Sequence, residues 1–224
     1  MKIIEPSVKI LDNIDGQAIL KKIERIGRVC YKSENNIKED SAERFIKSII
    51  TRGHESVLEH VSISVRVICD RGVTHELVRH RIASYSQEST RYCNYSKDKF
   101  GNELTFIKPC WFKHDAKYYL DHLYLDEKID VEAEDIWLSS MYLREREYFA
   151  LLEQGSTPEQ ARSILPNSLK TELVMTMNLR EWRHFFKLRC DKAAHPQTRE
   201  IANMILKEFK DEIPVVFDDI KEYK

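Results

Sequence analysis

The feature that most restricts the fold of this chain is a change in the spacing of its apolar residues near residue 61. Between residues 42 and 49, apolar side chains recur every third or fourth position, which predicts a helix that ends near Gly53. From residue 61 to residue 68, apolar side chains alternate with serine and arginine, which predicts a half-buried strand. Both periods occur elsewhere in the chain, so we expect a structure that mixes helices and strands.

The remaining patterns predict more helix than strand. Ser41 is the predicted N-cap of the helix over 42–49, and Asn178 with Glu181 three residues later marks another helix start. Thr157 and Gln160 form a predicted capping box around a proline. Further helices are predicted at 19–30, 74–81, 130–154, 157–165 and 201–209, and further strands at 104–107 and 171–177.

These elements define the expected fold class. The strands do not alternate regularly with the helices, so a doubly wound parallel sheet is not indicated. A chain of 224 residues can bury one sizeable core, and no linker or internal repeat marks a boundary. We therefore expect a mixed α/β (α+β) fold over residues 1–224, a single domain with a central sheet flanked by several helices, in which helix dominates.

Composition limits the partners and the compartment. The 36 Lys and Arg residues almost balance the 37 Asp and Glu residues, whereas nucleic-acid-binding proteins usually carry a basic excess. The five cysteines are odd in number and form no C-x-x-C pair, which favours reduced thiols over disulfides or a zinc site. No apolar stretch resembles a signal peptide or a membrane span. We expect a cytoplasmic protein that contacts neither membrane nor nucleic acid.

The segment 79–91 is the strongest candidate for chemistry. It places three arginines among serines, a threonine and a glutamine directly after a predicted helix. Arginine can bind phosphate oxygens with two parallel hydrogen bonds, and hydroxyl groups add neutral donors. The pattern suits a nucleotide phosphate. The alternative is a solvated basic turn whose arginines pair with Glu76 and Glu88.

The order of residues in this segment is more specific than its composition. Arg79-His80-Arg81, followed after seven residues by Ser89, resembles the signature of the flavin-dependent thymidylate synthases. Segments around 53–60, 161–166 and 178–189 also resemble segments of that family, in the same order and at similar spacing. A single tripeptide would be weak evidence, whereas four ordered segments are specific.

The resemblance implies an activity, cofactors and an assembly. The methylene group of 5,10-methylenetetrahydrofolate would be transferred to C5 of dUMP, and FAD reduced by NADPH would supply the hydride that completes the methyl group. The products would be dTMP and tetrahydrofolate. The family also implies a homotetramer in which neighbouring subunits share the active sites.

The resemblance also assigns roles to individual residues. Arg189 is the expected catalytic residue, because a fixed guanidinium would stabilise negative charge on the pyrimidine. Its alternative is a simple ion pair with Asp191, and for Glu76 the alternative is a pair with Arg79 or His80. The expected dUMP contacts are Glu76, Arg79, Gln87, Glu88, Ser89, Arg91, Arg162 and Arg189. The expected FAD contacts are His54, Ser56, Glu59, Arg79, His80, Arg81, Gln87, Asn178, Arg180 and His184.

Three other functions compete with this interpretation. A relative that binds nucleotides without catalysis would keep the arginines but would not turn over flavin. A metal-dependent nucleotide hydrolase could use His54, Glu59, His60 and His80, although the spacing of the first and third of these suits no common motif, and we expect no metal. A nucleic-acid-binding protein could use Tyr85, Tyr92 and Tyr95 as stacking platforms.

Overall fold

The chain divides into two compact units, and each is described by itself. The computed structural model describes residues 1–114 and 132–223. The first unit contains residues 1–6, 68–75 and 87–172, and the second contains residues 7–67, 76–86 and 173–224. The expectation that residues 1–224 form one domain stays a prediction.

The secondary structure confirms the mixed, helix-rich class. Its strands are β1 (Lys2–Ile4), β2 (Ser7–Ile10), β3 (Ser62–Asp70), β4 (Ser84–Gln87), β5 (Thr105–Ile107) and β6 (Lys170–Asn178). Its helices are α1 (Gly16–Val29), α2 (Ser41–Thr51), α3 (Arg71–Leu77), α4 (Ala133–Glu153), α5 (Pro158–Ala161), α6 (Leu179–Arg189), α7 (Pro196–Glu212) and α8 (Pro214–Phe217). The first two residues of the predicted helix 130–154 lie outside the described residues.

The sheet has four strands in the order β2-β3-β6-β4. In β3, alternate residues such as Ile63 and Val65 are buried, as the two-residue period predicts. β6 shows the same alternation and continues directly into α6. The sheet therefore fixes the position of the first residues of α6.

The core of the second unit is rich in aromatic side chains. Trp182 and Phe186 on α6 lie with their ring centroids 5.6 Å apart, and Phe209 on α7 lies 5.0 Å from Trp182. All three side chains are fully buried. Burial of each such side chain stabilises the fold by roughly 1.5–3 kcal/mol, so α6 is anchored along its inner face.

A separate core holds the first unit together. β1 pairs in parallel with β5, with Lys2 opposite Thr105, and buried Phe106 packs in one cluster with Tyr148 and Leu169. The amino group of Met1 lies 2.9 Å from a carboxylate oxygen of Glu145. β1 is a strand that the sequence patterns did not predict.

The predicted helix caps and helix ends are mostly confirmed. Thr157 and Gln160 form the predicted capping box. Gly53 and Gly155 follow α2 and α4 with positive φ angles of 72° and 88°, a conformation that glycine adopts at little cost. Asn178 accepts a hydrogen bond from the backbone N–H of Glu181 at 2.9 Å, so α6 begins where the sequence predicts.

The helix predicted at 74–81 was wrong at both ends. The helix predicted at 74–81 is α3, which starts earlier because Asp70 accepts a hydrogen bond from the N–H of Val73 at 2.7 Å. It ends at Leu77, and the hydroxyl of Tyr85 donates to the carbonyl of Leu77 and to the carbonyl of His80. These side-chain contacts replace the hydrogen bonds that would continue the helix.

The N-cap position of α2 also differs from the prediction. Asp40 occupies the cap, and Ser41 is the first helical residue. The hydroxyl of Ser41 donates to the buried carboxylate of Glu24 at 2.8 Å, which holds it away from the capping geometry. Cys30, the last residue of the helix predicted at 19–30, follows α1 and is exposed. All five cysteines carry free thiols.

No helix within residues 1–114 or 132–223 has the length and apolar character needed to cross a bilayer.

Candidate active site

A cavity of about 450 Å³ lies in the second unit at the start of α6. Four of its residues, Asn178, Glu181, His184 and Lys187, follow each other at three-residue intervals, so each neighbours the next along the helix surface. Asn178 is fixed by its own capping hydrogen bond. The cavity is lined by Glu55, Glu59, Ile82, Asn178, Arg180, Glu181, His184 and Lys187.

Arg189, the last residue of α6, is held by Glu76 and His80. Its Nη1 donates to a carboxylate oxygen of Glu76 at 2.9 Å, and its Nη2 donates to the backbone carbonyl of Glu76 at 3.1 Å. Its Nε donates to Nε2 of His80 at 3.0 Å. The alternatives of an Arg189–Asp191 pair and a pair of Glu76 with Arg79 or His80 are therefore wrong.

His80 connects Arg189 to Glu181. The imidazole is buried, with Nδ1 3.4 Å from a carboxylate oxygen of Glu181. Burial, assisted by the charges of Arg189 and His184, lowers the pKa of His80 to about 4. A neutral ring that accepts from Arg189 at Nε2 carries its proton on Nδ1, which then points at Glu181. Burial raises the pKa of Glu181.

The other expected flavin contacts in the second unit are largely exposed. Arg180 and Glu59 form an ion pair at 2.5 Å with both side chains about half exposed, and Nδ1 of His54 lies 2.8 Å from the hydroxyl of Tyr31. Ser56, Arg79 and Arg81 are exposed. These side chains are accessible to a ligand.

The first unit holds a second group of predicted site residues around Glu88. One carboxylate oxygen of Glu88 accepts from the hydroxyl of Tyr95 at 2.9 Å, and the other accepts from Lys170 at 2.7 Å. The side-chain amide of Gln87 donates to the hydroxyls of Thr74 and Thr171. Both residues are thus held in one orientation.

The predicted phosphate contacts also lie in the first unit. Arg162 donates to the hydroxyl of buried Thr90 at 3.3 Å, and Arg91 pairs with Glu159 at 3.0 Å with both side chains about half exposed. The hydroxyl of Ser89 accepts from the backbone N–H of Arg91. Arg162 stands at the end of α5, in a short turn of 3₁₀ helix, rather than inside a longer helix.

The comparison with known families identifies the chain. A sequence model of the Thy1 family, described as thymidylate synthase complementing protein, matches residues 12–215. The chain belongs to this family. A flavin-dependent thymidylate synthase of Pyrococcus furiosus is 38% identical over 183 residues, which is 81% of this chain and 68% of the relative. A flavin-dependent thymidylate synthase of Mycobacterium sp. (strain KMS) is 34% identical over 98% of this chain and 86% of the relative.

A solved structure with a similar fold supports the architecture. The UMP/dUMP methylase PolB of Streptomyces cacaoi, crystallised with 5-Br dUMP, superposes with a TM-score of 0.72. The match covers 97% of this Thy1-family chain and 96% of the methylase, at 23% sequence identity. The likeness establishes the fold.

Several residues of the cavity were not predicted as ligand contacts. Glu55, Ile82, Glu181 and Lys187 line it beside the predicted ones. Glu181 was recognised only as the residue that completes the cap of α6. The three-residue spacing from Asn178 to Lys187 is a signal that could have placed Glu181 and Lys187 on the same surface.

The rival interpretations find little support in this geometry. Within residues 1–114 and 132–223, the one group of three metal-ligand side chains is His80, Glu181 and His184, which differs from the predicted hydrolase set. Both ring nitrogens of His80 already face protein groups. Among the three tyrosines, Tyr85 and Tyr95 use their hydroxyls inside the fold, and only Tyr92 is strongly exposed.

Proposed function

We propose that this Thy1-family protein is a flavin-dependent thymidylate synthase that converts dUMP to dTMP. The carbon donor is 5,10-methylenetetrahydrofolate, and tetrahydrofolate is released. The names of the relatives and of the structurally similar methylase support this reaction. The observation that carries the proposal is the fixed position of Arg189 between Glu76 and His80.

Arg189 is the proposed catalytic residue. The guanidinium of Arg189 is held by three hydrogen bonds, two of them to Glu76 and one to His80. It therefore loses little conformational freedom when it contacts a ligand. Near the pyrimidine it stabilises the negative charge that develops when the N3 proton is lost, which makes C5 a better nucleophile. Glu76 accepts a hydrogen bond from the uracil ring and sets its orientation.

The FAD site of this proposal is the cavity at the start of α6. Its walls carry Arg180 and Lys187, which pair with Glu59 and Glu55, together with the side-chain amide of Asn178 and the ring of His184. Cations and neutral donors of this kind suit the phosphates and the polar edge of a flavin nucleotide. His54, Ser56, Glu59, Arg79, His80, Arg81 and Gln87 complete the proposed flavin contacts. Bound FAD, reduced by NADPH, supplies the hydride that completes the methyl group.

The remaining dUMP contacts in this proposal come from residues 79–91 and from Arg162. Arg91 and Arg162 provide positive charge, and Ser89 provides a hydroxyl, for the nucleotide phosphate. Arg79 is a proposed contact of dUMP as well as of FAD. Gln87 and Glu88, each fixed by two hydrogen bonds or ion pairs, orient the segment that carries Ser89.

The assembly and compartment are part of the same proposal. A homotetramer with shared active sites would let residues of neighbouring subunits complete one site. A cytoplasmic location suits the reduced thiols of all five cysteines.

Product formation tests the proposed reaction directly. The purified protein is stripped of flavin and incubated with dUMP, methylenetetrahydrofolate and NADPH, with and without added FAD. We expect dTMP and tetrahydrofolate to appear in equal amounts only when FAD is present. A folded, oligomeric protein that forms no dTMP under these conditions contradicts the proposal.

A further inference from the structure

A second cavity, of about 540 Å³, lies in the second unit along one face of α2. We call it the α2 groove. Ser41, Arg44, Ser48 and Arg52 recur every three or four residues, so one helix face and its C-terminal cap form the floor of the groove. The segment between α1 and α2 lines the rest. Its lining residues are Arg28, Tyr31, Ser33, Asn36, Lys38, Ser41, Arg44, Phe45, Ser48 and Arg52.

The α2 groove is strongly positive, although the whole chain has a net charge of −1. Its lining includes two arginines from α2 and its cap, one from α1 and one lysine, and none of the described residues that line it is acidic. Serine and tyrosine hydroxyls and an asparagine amide supply additional hydrogen-bond donors. Cations combined with neutral donors form the usual site for carboxylate or phosphate groups.

One arginine of the groove is firmly positioned. Arg28 donates through Nε and Nη2 to the buried carboxylate of Glu24, and its guanidinium lies 4.7 Å above the ring of Phe45. The second oxygen of Glu24 accepts from Ser41. This network holds Arg28 and Ser41 at the base of the groove before any ligand arrives.

Lys38 and Arg52 carry the positive charge that is least compensated. Arg44 forms an ion pair with Asp40 at 3.5 Å, and the two side chains are 75% and 78% exposed. Arg52 donates to a backbone carbonyl of its own helix, and Lys38 forms no side-chain ion pair within the described residues. An anion entering the groove therefore meets two cations that no carboxylate neutralises.

The groove adjoins the region assigned to flavin. Tyr31 lines it, and the Tyr31 hydroxyl lies 2.8 Å from Nδ1 of His54. The next residue, Lys32, has a φ angle of 47°, which is unusual for a residue other than glycine. The fold holds Lys32 in this strained backbone conformation between Tyr31 and Ser33, which both line the groove.

We propose that the α2 groove binds the anionic end of a co-substrate whose other end reacts beside His54. The ligand chemistry is a cluster of carboxylates or phosphates, which the glutamate tail of a folate and the phosphates of a nicotinamide dinucleotide both offer. This proposal rests on the proposed function, since that function brings such co-substrates to the protein.

Direct binding tests the groove without requiring turnover. The probes are NADP⁺, pteroylmonoglutamate and pteroyltriglutamate, titrated calorimetrically into the full-length protein loaded with FAD and dUMP. The variant is Lys38→Ala with Arg52→Ala, two exposed residues. The matched control is Lys22→Ala with Lys47→Ala, which removes two exposed cations, one on α1 and one on α2, that do not line the groove.

We expect the groove variant to weaken one class of probe by about ten-fold or more, since each charge-assisted hydrogen bond that is lost weakens binding by about ten-fold. Weaker NADP⁺ binding identifies phosphate as the ligand. Weaker triglutamate binding, with monoglutamate unchanged, identifies the folate tail. Dissociation constants within two-fold of the wild type, or an equal change in the control, overturn the proposal. If the wild-type protein forms dTMP and the dissociation constants still show no effect specific to the groove variant, the groove proposal fails while the proposed function stands.

Discussion

Two arginines on α6, Arg183 and Arg189, differ in burial and in how their positive charge is balanced. Arg183, 2% exposed, donates to Glu55, to both carboxylate oxygens of Asp219 and to the carbonyl of Val216. Arg189, 19% exposed, has one carboxylate partner, Glu76, and one neutral partner, His80. In the Arg183 cluster two carboxylates surround one guanidinium, whereas the Arg189 guanidinium has one carboxylate partner and keeps N–H donors that a ligand can use.

This difference separates an arginine that stabilises the fold from one that is available for chemistry. A buried charge without partners costs several kcal/mol, so an arginine surrounded by fixed carboxylates is held mainly for stability. A guanidinium with one carboxylate partner and unused N–H donors can interact strongly with a developing anion. Four predictions test this contrast.

The largest effect is expected for Arg183→Met. The change leaves Asp219 and Glu55 without their main partner and should lower the free energy of unfolding by about 3–5 kcal/mol. Denaturant unfolding measures the loss. Arg180→Met is the matched control, because its ion pair on the same helix is about half exposed. A loss below about 1 kcal/mol for Arg183→Met would show that this cluster is not structural.

Arg189→Ala should affect catalysis more than stability. We expect the protein to fold and retain FAD while the barrier to dTMP formation rises by about 2–4 kcal/mol. Single-turnover rates with reduced flavin measure this change. Arg189→Lys, which keeps the charge but loses the fork of donors, should recover only part of the rate. Near wild-type turnover by the alanine variant would remove the catalytic role from Arg189.

The sequence predicts the contacts that are close along the chain and not those that are distant. Asn178 and Glu181 are three residues apart, and their cap was predicted because it depends on local geometry alone. His80 and Arg189 are 109 residues apart, and only the packing of α6 brings them together. The Arg183 cluster depends on Glu55, 128 residues away, and on Asp219, 36 residues away, and no local pattern distinguishes Arg183 from other helix arginines.

The same reasoning explains the errors in the local predictions. Ser41 fits the N-cap pattern, but Glu24, 17 residues away, accepts its hydroxyl hydrogen. The alternative considered for Arg189 was a local ion pair with Asp191, but Glu76 is the partner. In both cases a tertiary contact with a carboxylate replaces the local one. The residue roles at the dUMP and FAD sites rest on the family resemblance and stay predictions.

Acid should weaken the Arg189 cluster through His80. Its pKa is lowered from 6.5 to about 4, so the unfolded chain binds more protons than the folded chain between these values. The stability that neutral His80 contributes is complete above pH 6.5 and is lost as the pH falls towards 4. The neighbouring Glu181, whose pKa is raised, has the opposite dependence. Arg189 and His184 also face the ring.

Comparison with His80→Gln isolates this effect, because glutamine can still accept a hydrogen bond from Arg189 but does not titrate. From pH 7 to pH 4.5, the free energy of unfolding of the wild type should fall by about 2 kcal/mol more than that of His80→Gln. Parallel curves for the two proteins would mean that His80 is protonated no less readily in the folded state than in the unfolded one.

The smallest effect on stability is expected for Arg180→Ala. Its pair with Glu59 is exposed on both sides, at 52% and 46%, so its loss should change the free energy of unfolding by less than about 1 kcal/mol. The same change should weaken FAD binding by about ten-fold if Arg180 contacts an anionic part of the flavin nucleotide. Flavin fluorescence on titration measures the second quantity. A large loss of stability with unchanged FAD affinity would place Arg180 with Arg183 and remove the distinction between arginines that hold α6 and arginines that face a ligand.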